Sequence, residues 1–157
     1  MARRSAGLLL YRHASGGGLE VLVAHMGGPF WARRDEGAWS IPKGEHEEDE
    51  DPLVAALREF EEELGSPAPA GAPVPLGEFR QSGGKRVTVF ALEGDLDASR
   101  VTSDEFEIEW PPRSGRLRRF PEVDRAEWVT PEVARAKLVR GQVPAIDALI
   151  AGLGDPA

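Results

Sequence analysis

Apolar residues along this chain fall into short runs with two different periods. Ser5 to Tyr11 (SAGLLLY) and Leu19 to His25 (LEVLVAH) are compact runs of strand length. The turn-rich Ala14-Ser15-Gly16-Gly17-Gly18 lies between them, so the pattern predicts an opening β-hairpin. Gly77 to Gln81 and Arg86 to Leu92 (RVTVFAL) predict a second hairpin around Ser82-Gly83-Gly84-Lys85. Between the hairpins, Trp39 to Gly44 reads as a short strand after an irregular loop from Gly27 to Gly37. Phe106, Ile108 and Trp110 alternate with Glu105, Glu107 and Glu109, the period of a half-buried strand. Val123 to Val129 predicts a last strand with Trp128 inward.

The period becomes that of a helix after Asp51, which suits an N-cap, with Pro52 at the first helical position and Gly65 as the stop. At about 100° per residue, Leu57, Phe60 and Leu64 lie within about 40° of Leu53, whereas Glu59, Glu62 and Glu63 gather between roughly 180° and 280°. One face packs and the other collects carboxylates. A helix capped by Thr130, opening at Pro131 and stopping at Gly141, is predicted near the end, followed by another over Val143 to Leu153. Ser66 to Pro75 is a Pro/Ala linker too short to be a domain boundary, and no internal repeat is present. A single domain over 1–157 is expected.

Charge changes the picture at one place. The chain has 27 acids and 19 bases, for a net charge of -8. Ten of the acids lie between Gly44 and Gly65 against one base, Arg58, leaving 17 acids and 18 bases elsewhere. Acidity is therefore local, unlike that of a disordered acidic chain. Like charges three and four residues apart on a helix repel. A hard divalent cation with oxygen ligands would relieve that repulsion, while a solvated acidic face is the plainer reading of such a helix. With no cysteine, disulfide frameworks and thiolate zinc sites are excluded. His13, His25 and His46 have no partner at metal-ligand spacing and read as structural or exposed. The apolar run of MARRSAGLLLYR is too short for a signal peptide or a membrane span, so a cytoplasmic protein without a membrane partner is expected. No Walker or dinucleotide fingerprint occurs, and no stable nucleic-acid partner is expected.

Spacing narrows the chemistry. Gly44 is followed after five positions by Glu50 and after seven more by Arg58-Glu59-Phe60-x-Glu62-Glu63-x-Gly65. This resembles the signature of the Nudix hydrolases, G-x5-E-x7-R-E-U-x-E-E-x-G-U, with U a bulky apolar residue. All the fixed positions match; only the last apolar position, Ser66, departs. With residue frequencies of roughly 5–10%, a chance match in a chain of this length has a probability on the order of 10^-5. The lead-in Trp39-Ser40-Ile41-Pro42-Lys43-Gly44-Glu45 is similar to that of Nudix enzymes of the diadenosine-tetraphosphate and diphosphoinositol-polyphosphate type.

The resemblance implies an α/β/α sandwich around a mixed β-sheet, with the motif helix packed on it. It implies metal-dependent hydrolysis of a nucleoside diphosphate linked to another moiety X. Glu59, Arg58 and Glu62 would form the catalytic set, with Glu59 a metal ligand and a candidate general base, although coupled carboxylates near metal do not single out the base. The Gly44 carbonyl, Glu59, Glu62 and Glu63 would hold one to three Mg2+ or Mn2+ ions. Arg58 would orient Glu59, while Glu50 and Gly65 are structural members of the motif. A further acid commonly lies outside the motif in this family, and Glu107 or Glu109 is the candidate. A homodimer is compatible with the resemblance.

Substrate contacts are sought among Arg34, Trp39, Lys43, Arg86 and Arg113. Trp31, beside Arg34, either stacks a base or covers the core edge. Lys43, Arg80, Lys85 and Arg86 either meet phosphate or are solvated. The same two readings apply to the Pro-Pro-Arg-Ser-Gly loop and the arginines after it. Aromatic groups favour a nucleotide and basic patches a longer phosphate chain, so a dinucleoside polyphosphate or nucleoside triphosphate is expected first, with ADP-ribose-like nucleotide sugars next. The alternatives are a nucleotide-sensing Nudix module without catalysis and a calcium-binding structural domain. The second is disfavoured by acids on a helix rather than in a twelve-residue loop.

Overall fold

Both predicted hairpins form, and the chain after the first is threaded back into it. In the computed structural model, which describes residues 4–154, β1 (Arg4–His13) and β2 (Leu19–Met26) pair only near their turn, from Tyr11↔Val21 to His13↔Leu19. Beyond that they diverge. The wedge is filled by β3 (Trp39–Ser40) against β2 and β4 (Lys43–Glu45) against β1. The Leu8 N–H donates to the Pro42 carbonyl at 3.1 Å and the Met26 N–H to the Ala38 carbonyl at 3.0 Å, closing the seam. Gly7 is needed there, because a Cβ would come within 2.9 Å of the Pro42 oxygen.

The outer edge of β1 pairs in parallel with β6 (Arg86–Glu93), which pairs antiparallel with β5 (Val74–Arg80). On its free side β2 takes β9 (Val123–Val129), giving a mixed sheet of seven strands. Strand β5 starts at Val74, so the end of the expected linker is sheet. The central strand β1 is buried on both faces, which explains an apolar run that is continuous rather than alternating. Leu8 and Leu10 pack with Phe60 and Leu64 under α1 (Pro52–Leu64). Leu9 packs on the other side with Ala134 of α2 (Pro131–Lys137) and Ile146 and Leu149 of α3 (Val143–Gly152). The result is an α/β/α sandwich.

Helix α1 has the expected ends. The Asp51 carboxylate accepts from the Leu53 N–H at 2.8 Å, Pro52 opens the helix, and Gly65 closes it with φ of 80°. A Cβ at Gly65 would also run into the Thr102 carbonyl. Gly65→Ala is expected to cost about 1–2 kcal/mol from the left-handed backbone alone, with the overlap adding to it. Urea unfolding checks this, and an unchanged midpoint would mean that neither constraint holds.

Helix α2 ends well before Gly141. Leu138 forms a parallel bridge with Trp39, and the Val139 N–H donates to the Trp39 carbonyl at 2.9 Å, so a tertiary contact stops the helix. Strands β7 (Glu105–Glu109) and β8 (Leu117–Pro121) form a two-stranded hairpin separate from the main sheet. Trp110 at the end of β7 meets the edge of Phe30 at 5.5 Å. Trp128 is half-buried, its indole N–H bonded to the Leu96 carbonyl and its ring under the Arg12 guanidinium. Among the described residues, no helix is long and apolar enough to cross a membrane.

Candidate active site

The last carbonyls of a helix have no partner within it. In α1 they anchor a second stretch of chain. The Asp104 N–H donates to the Glu62 carbonyl at 2.9 Å, and the Thr102 N–H to the Leu64 carbonyl at 3.2 Å. Asp104 in turn accepts, through its own carbonyl, from the Glu122 N–H at 2.8 Å. Backbone bonds thus bring three further acids to the acidic face of α1. Together they line a cavity of about 560 Å3: Glu59, Glu62 and Glu63 from α1, Asp104, Glu105 and Glu122 from the anchored segments, and Lys43, Gly44 and Glu45 from β4.

Within the cavity, a Cβ on Gly44 would overlap the Glu59 carboxylate. Glycine at this position is therefore what lets Glu59 lie against β4. Glu63 Oε1 accepts from the Lys43 backbone N–H at 3.2 Å. Arg58 donates to the Glu50 carboxylate and lies 3.4 Å from Glu59 Oε1 and 3.8 Å from Glu62 Oε1. It also reaches the Glu45 carbonyl at 3.5 Å, so one guanidinium ties the loop before α1 to the helix.

Burial pushes the Glu63 carboxyl up to about 8, with Glu59 and Glu122 adding to the rise and Lys43 opposing it. Burial also raises Glu59, helped by Glu62 and opposed by Arg58. Glu122 rises through burial and then Asp104. All three shifts share a sign, and burial is the largest cause of each. Carboxylates outnumber the one lining cation, Lys43, and an anionic, all-oxygen donor set of this kind fits a hard divalent cation. Among the described residues, no three acid or histidine groups already stand close enough to hold one ion between them. Gathering them takes rotation of the Glu59, Glu62 and Glu63 side chains, whose backbones already share one helix face.

These shifts predict a pH dependence. Glu63 keeps a proton in the native state that the unfolded chain releases near its ordinary value of 4.5. The native state then binds more protons, so this group's contribution to stability falls as pH rises from there toward about 8. Protein held in chelator is expected to gain more in Tm from added Mg2+ at about pH 8 than at about pH 6. Equal gains at both would show that the carboxylates are not what the cation relieves.

The other sequence candidates separate. Lys43 lines both the acidic cavity and a neighbouring one of about 540 Å3 that also takes in Trp31. The Arg34 guanidinium sits 5.6 Å from the centre of the Trp31 ring. Trp39 is fully buried: its indole N–H donates to Asp35 at 2.8 Å, and His25 meets it edge-on at 5.0 Å, so no face is free for a base. Arg86 pairs with Glu78, and Arg113 stands at the tip of the β7–β8 hairpin. Glu107 does not line the acidic cavity, and Glu109 is used inside the hairpin, accepting from the Arg113 and Gly115 N–H groups. Asp104, Glu105 and Glu122, at the base of the hairpin, line the cavity instead. His25 is buried between Asp124 and the Arg34 carbonyl, a structural role.

The family model for the NUDIX domain matches residues 1–149. The chain belongs to the Nudix family. As a Nudix hydrolase it is an enzyme acting on phosphoric anhydrides, and its family generally uses divalent metal ions. Among solved structures, the Ap4A hydrolase of C. elegans in a binary complex is 20% identical, covers 98% of this chain and 98% of its own, and superposes with a TM-score of 0.64. The Nudix domain of Shewanella oneidensis NrtR complexed with ADP ribose is 17% identical, with 98% and 89% covered and a TM-score of 0.64. RenU, a Nudix hydrolase from M. smegmatis, is 25% identical, with 98% and 86% covered and a TM-score of 0.56. No curated protein matches the chain in sequence.

Proposed function

We propose that this Nudix enzyme, one domain over 1–157, hydrolyses a dinucleoside polyphosphate or a nucleoside triphosphate. The observation that carries this reading is the pairing of two cavities through Lys43: one rich in carboxylates, the other lined by cations. The first would suit a diphosphate held with metal ions and the second the rest of a phosphate-rich substrate. The Gly44 carbonyl, Glu59, Glu62 and Glu63 would hold one to three Mg2+ or Mn2+ ions, which when bound neutralise the diphosphate and lower the pKa of a bound water. Glu59 accepts the proton of the attacking water as its oxygen bonds to phosphorus and the bridging P–O bond breaks toward the leaving phosphate. Arg58, braced by Glu50, keeps Glu59 oriented. Asp104, Glu105 and Glu122 complete the acidic wall.

The test is product analysis over dinucleoside polyphosphates, nucleoside triphosphates, ADP-ribose and a diphosphoinositol phosphate, each with Mg2+, Mn2+ or chelator. Metal-dependent cleavage of the first two classes is the expected result. Preference for ADP-ribose would move the substrate to nucleotide sugars. Nucleotide binding without cleavage anywhere would leave a sensing module.

A further inference from the structure

The cavity beside the acidic site has an unusual wall. Of the residues lining it, Lys43, Arg80, Lys85 and Arg140 are cationic and none is an acid. Among the described residues, Arg80, Lys85 and Arg140 have no carboxylate within ion-pair distance, unlike Arg12, Arg58, Arg86, Arg135 and Lys137; Arg33, Arg34 and Arg113 also lack one, but of these only Arg80, Lys85 and Arg140 share one cavity with Lys43. Cations gathered without counter-charge repel one another, and a polyanion relieves them.

The floor beneath them is rigid. Gln142 is fully buried; its Oε1 accepts from the Ile41 N–H at 2.7 Å, and its Nε2 donates to Ser40 Oγ at 3.0 Å and Gln81 Oε1 at 2.9 Å. Gly141 has no Cβ to strike the Arg80 carbonyl, which would lie at 2.5 Å, or Gln81 Cα, at 2.8 Å. The turn at 140–142 therefore lies backbone to backbone with the end of β5, and the approach sets Arg80 and Arg140 on one rim. Trp31 is the aromatic group of this wall, and it already carries Arg34 over its ring. Such a lining reads phosphoryl groups better than it reads a base.

We propose that this cavity is a second anion subsite, in which Arg80, Lys85 and Arg140 hold phosphoryl groups of the substrate beyond the anhydride that is cleaved. The subsite rests on the hydrolase reading, since Lys43 joins it to the cavity where the scissile anhydride would lie. It makes the count of distal phosphates the property that selects substrate. Those phosphates come either from the chain of a dinucleoside polyphosphate or from a phosphorylated ring polyol.

Inorganic tripolyphosphate titrated by calorimetry, in chelator and at fixed ionic strength, isolates the subsite from the metal chemistry. Wild type is expected to bind it, with affinity falling about tenfold in Arg80→Ala or Arg140→Ala and about a hundredfold in the double variant. Arg140→Lys should recover most of the loss, and Lys85→Ala, on an exposed turn, gives an independent reading with little risk to the fold. In kinetics, the double variant should raise KM for diadenosine tetraphosphate or a diphosphoinositol phosphate while leaving ADP-ribose, whose two phosphates form the anhydride itself, unchanged. The polyphosphate with the larger rise identifies the source. An unchanged tripolyphosphate affinity in a folded double variant, or an equal KM rise for ADP-ribose, overturns the subsite. Weakened tripolyphosphate binding with no cleavage of any compound upholds the subsite and sinks the hydrolase reading instead.

Discussion

Glu59→Gln is expected to lower kcat about 10^3-fold or more while leaving the metal-free protein as stable as wild type or slightly more so. The substitution keeps shape and removes charge, so on the proposed mechanism it deletes a metal ligand and the proton acceptor together; a positioned base alone contributes roughly 10^2 to 10^4. Stability moves the other way for a local reason. Burial and Glu62 raise the Glu59 carboxyl, so its ionised form strains the native state near neutral pH, and only Arg58 opposes this. A neutral amide removes that strain. Single-turnover rates and melting in chelator read the two effects separately. A variant with near-normal turnover would refute the assignment of Glu59, and Glu62→Gln should lose turnover through the metal without the same gain in stability, since Glu62 is more exposed.

Gly44→Ala is expected to lower kcat by about 10^2-fold or more although it adds a single methyl group. Gly44 is not among the residues with positive φ, so the backbone accepts alanine. The added Cβ meets the Glu59 carboxylate instead and drives it out of place. Displacing a catalytic group by about 1 Å costs on the order of 10^2 in rate. The two positions should therefore couple: in a Glu59→Ala background the extra methyl should have almost no effect on stability, and a double-mutant cycle measures the difference. Strict additivity would place the alanine somewhere the structure does not.

What was legible in the sequence is what local chemistry determines. Helix α1 begins and ends where Asp51, Pro52 and Gly65 direct, because caps act over three or four residues. Both hairpins follow from turn residues between apolar runs. Helix α2 was not legible at its end, because Leu138 is claimed by Trp39, a residue far away in sequence. Burial of Trp39 is of the same kind: Asp35, which takes its N–H, is near in sequence, but His25, Arg125 and Lys137, which cover its ring, are not.

The motif acids were readable as one helix face, but their companions were not. Alternation places Glu105, Glu107 and Glu109 on one side of β7 without saying where that strand leaves the sandwich. The departure point is set by α1 carbonyls accepting from Thr102 and Asp104, which favours the base of the hairpin over its middle. Glu122 is a lone acid between two strands, with no periodicity to single it out. Arg140 and Arg80 line one cavity because Gly141 lets two backbones touch, and a glycine in sequence does not name its neighbour.

The threading of the sheet also bears on how the enzyme comes into being. Helix α1 can form from its own residues, but β1 pairs with β6, β2 with β9, and the partners lie 82 positions apart in the first ladder and 97 to 108 in the second. Distant pairings form slowly, since loop closure precedes any gain from contact. Glu122 stands just before β9 and reaches the cavity only with that last strand. During refolding, helical signal should therefore return before hydrolysis does, and simultaneous recovery would argue against this order. On a ribosome, the polypeptide would carry its whole signature motif for some time before it could turn over a single molecule.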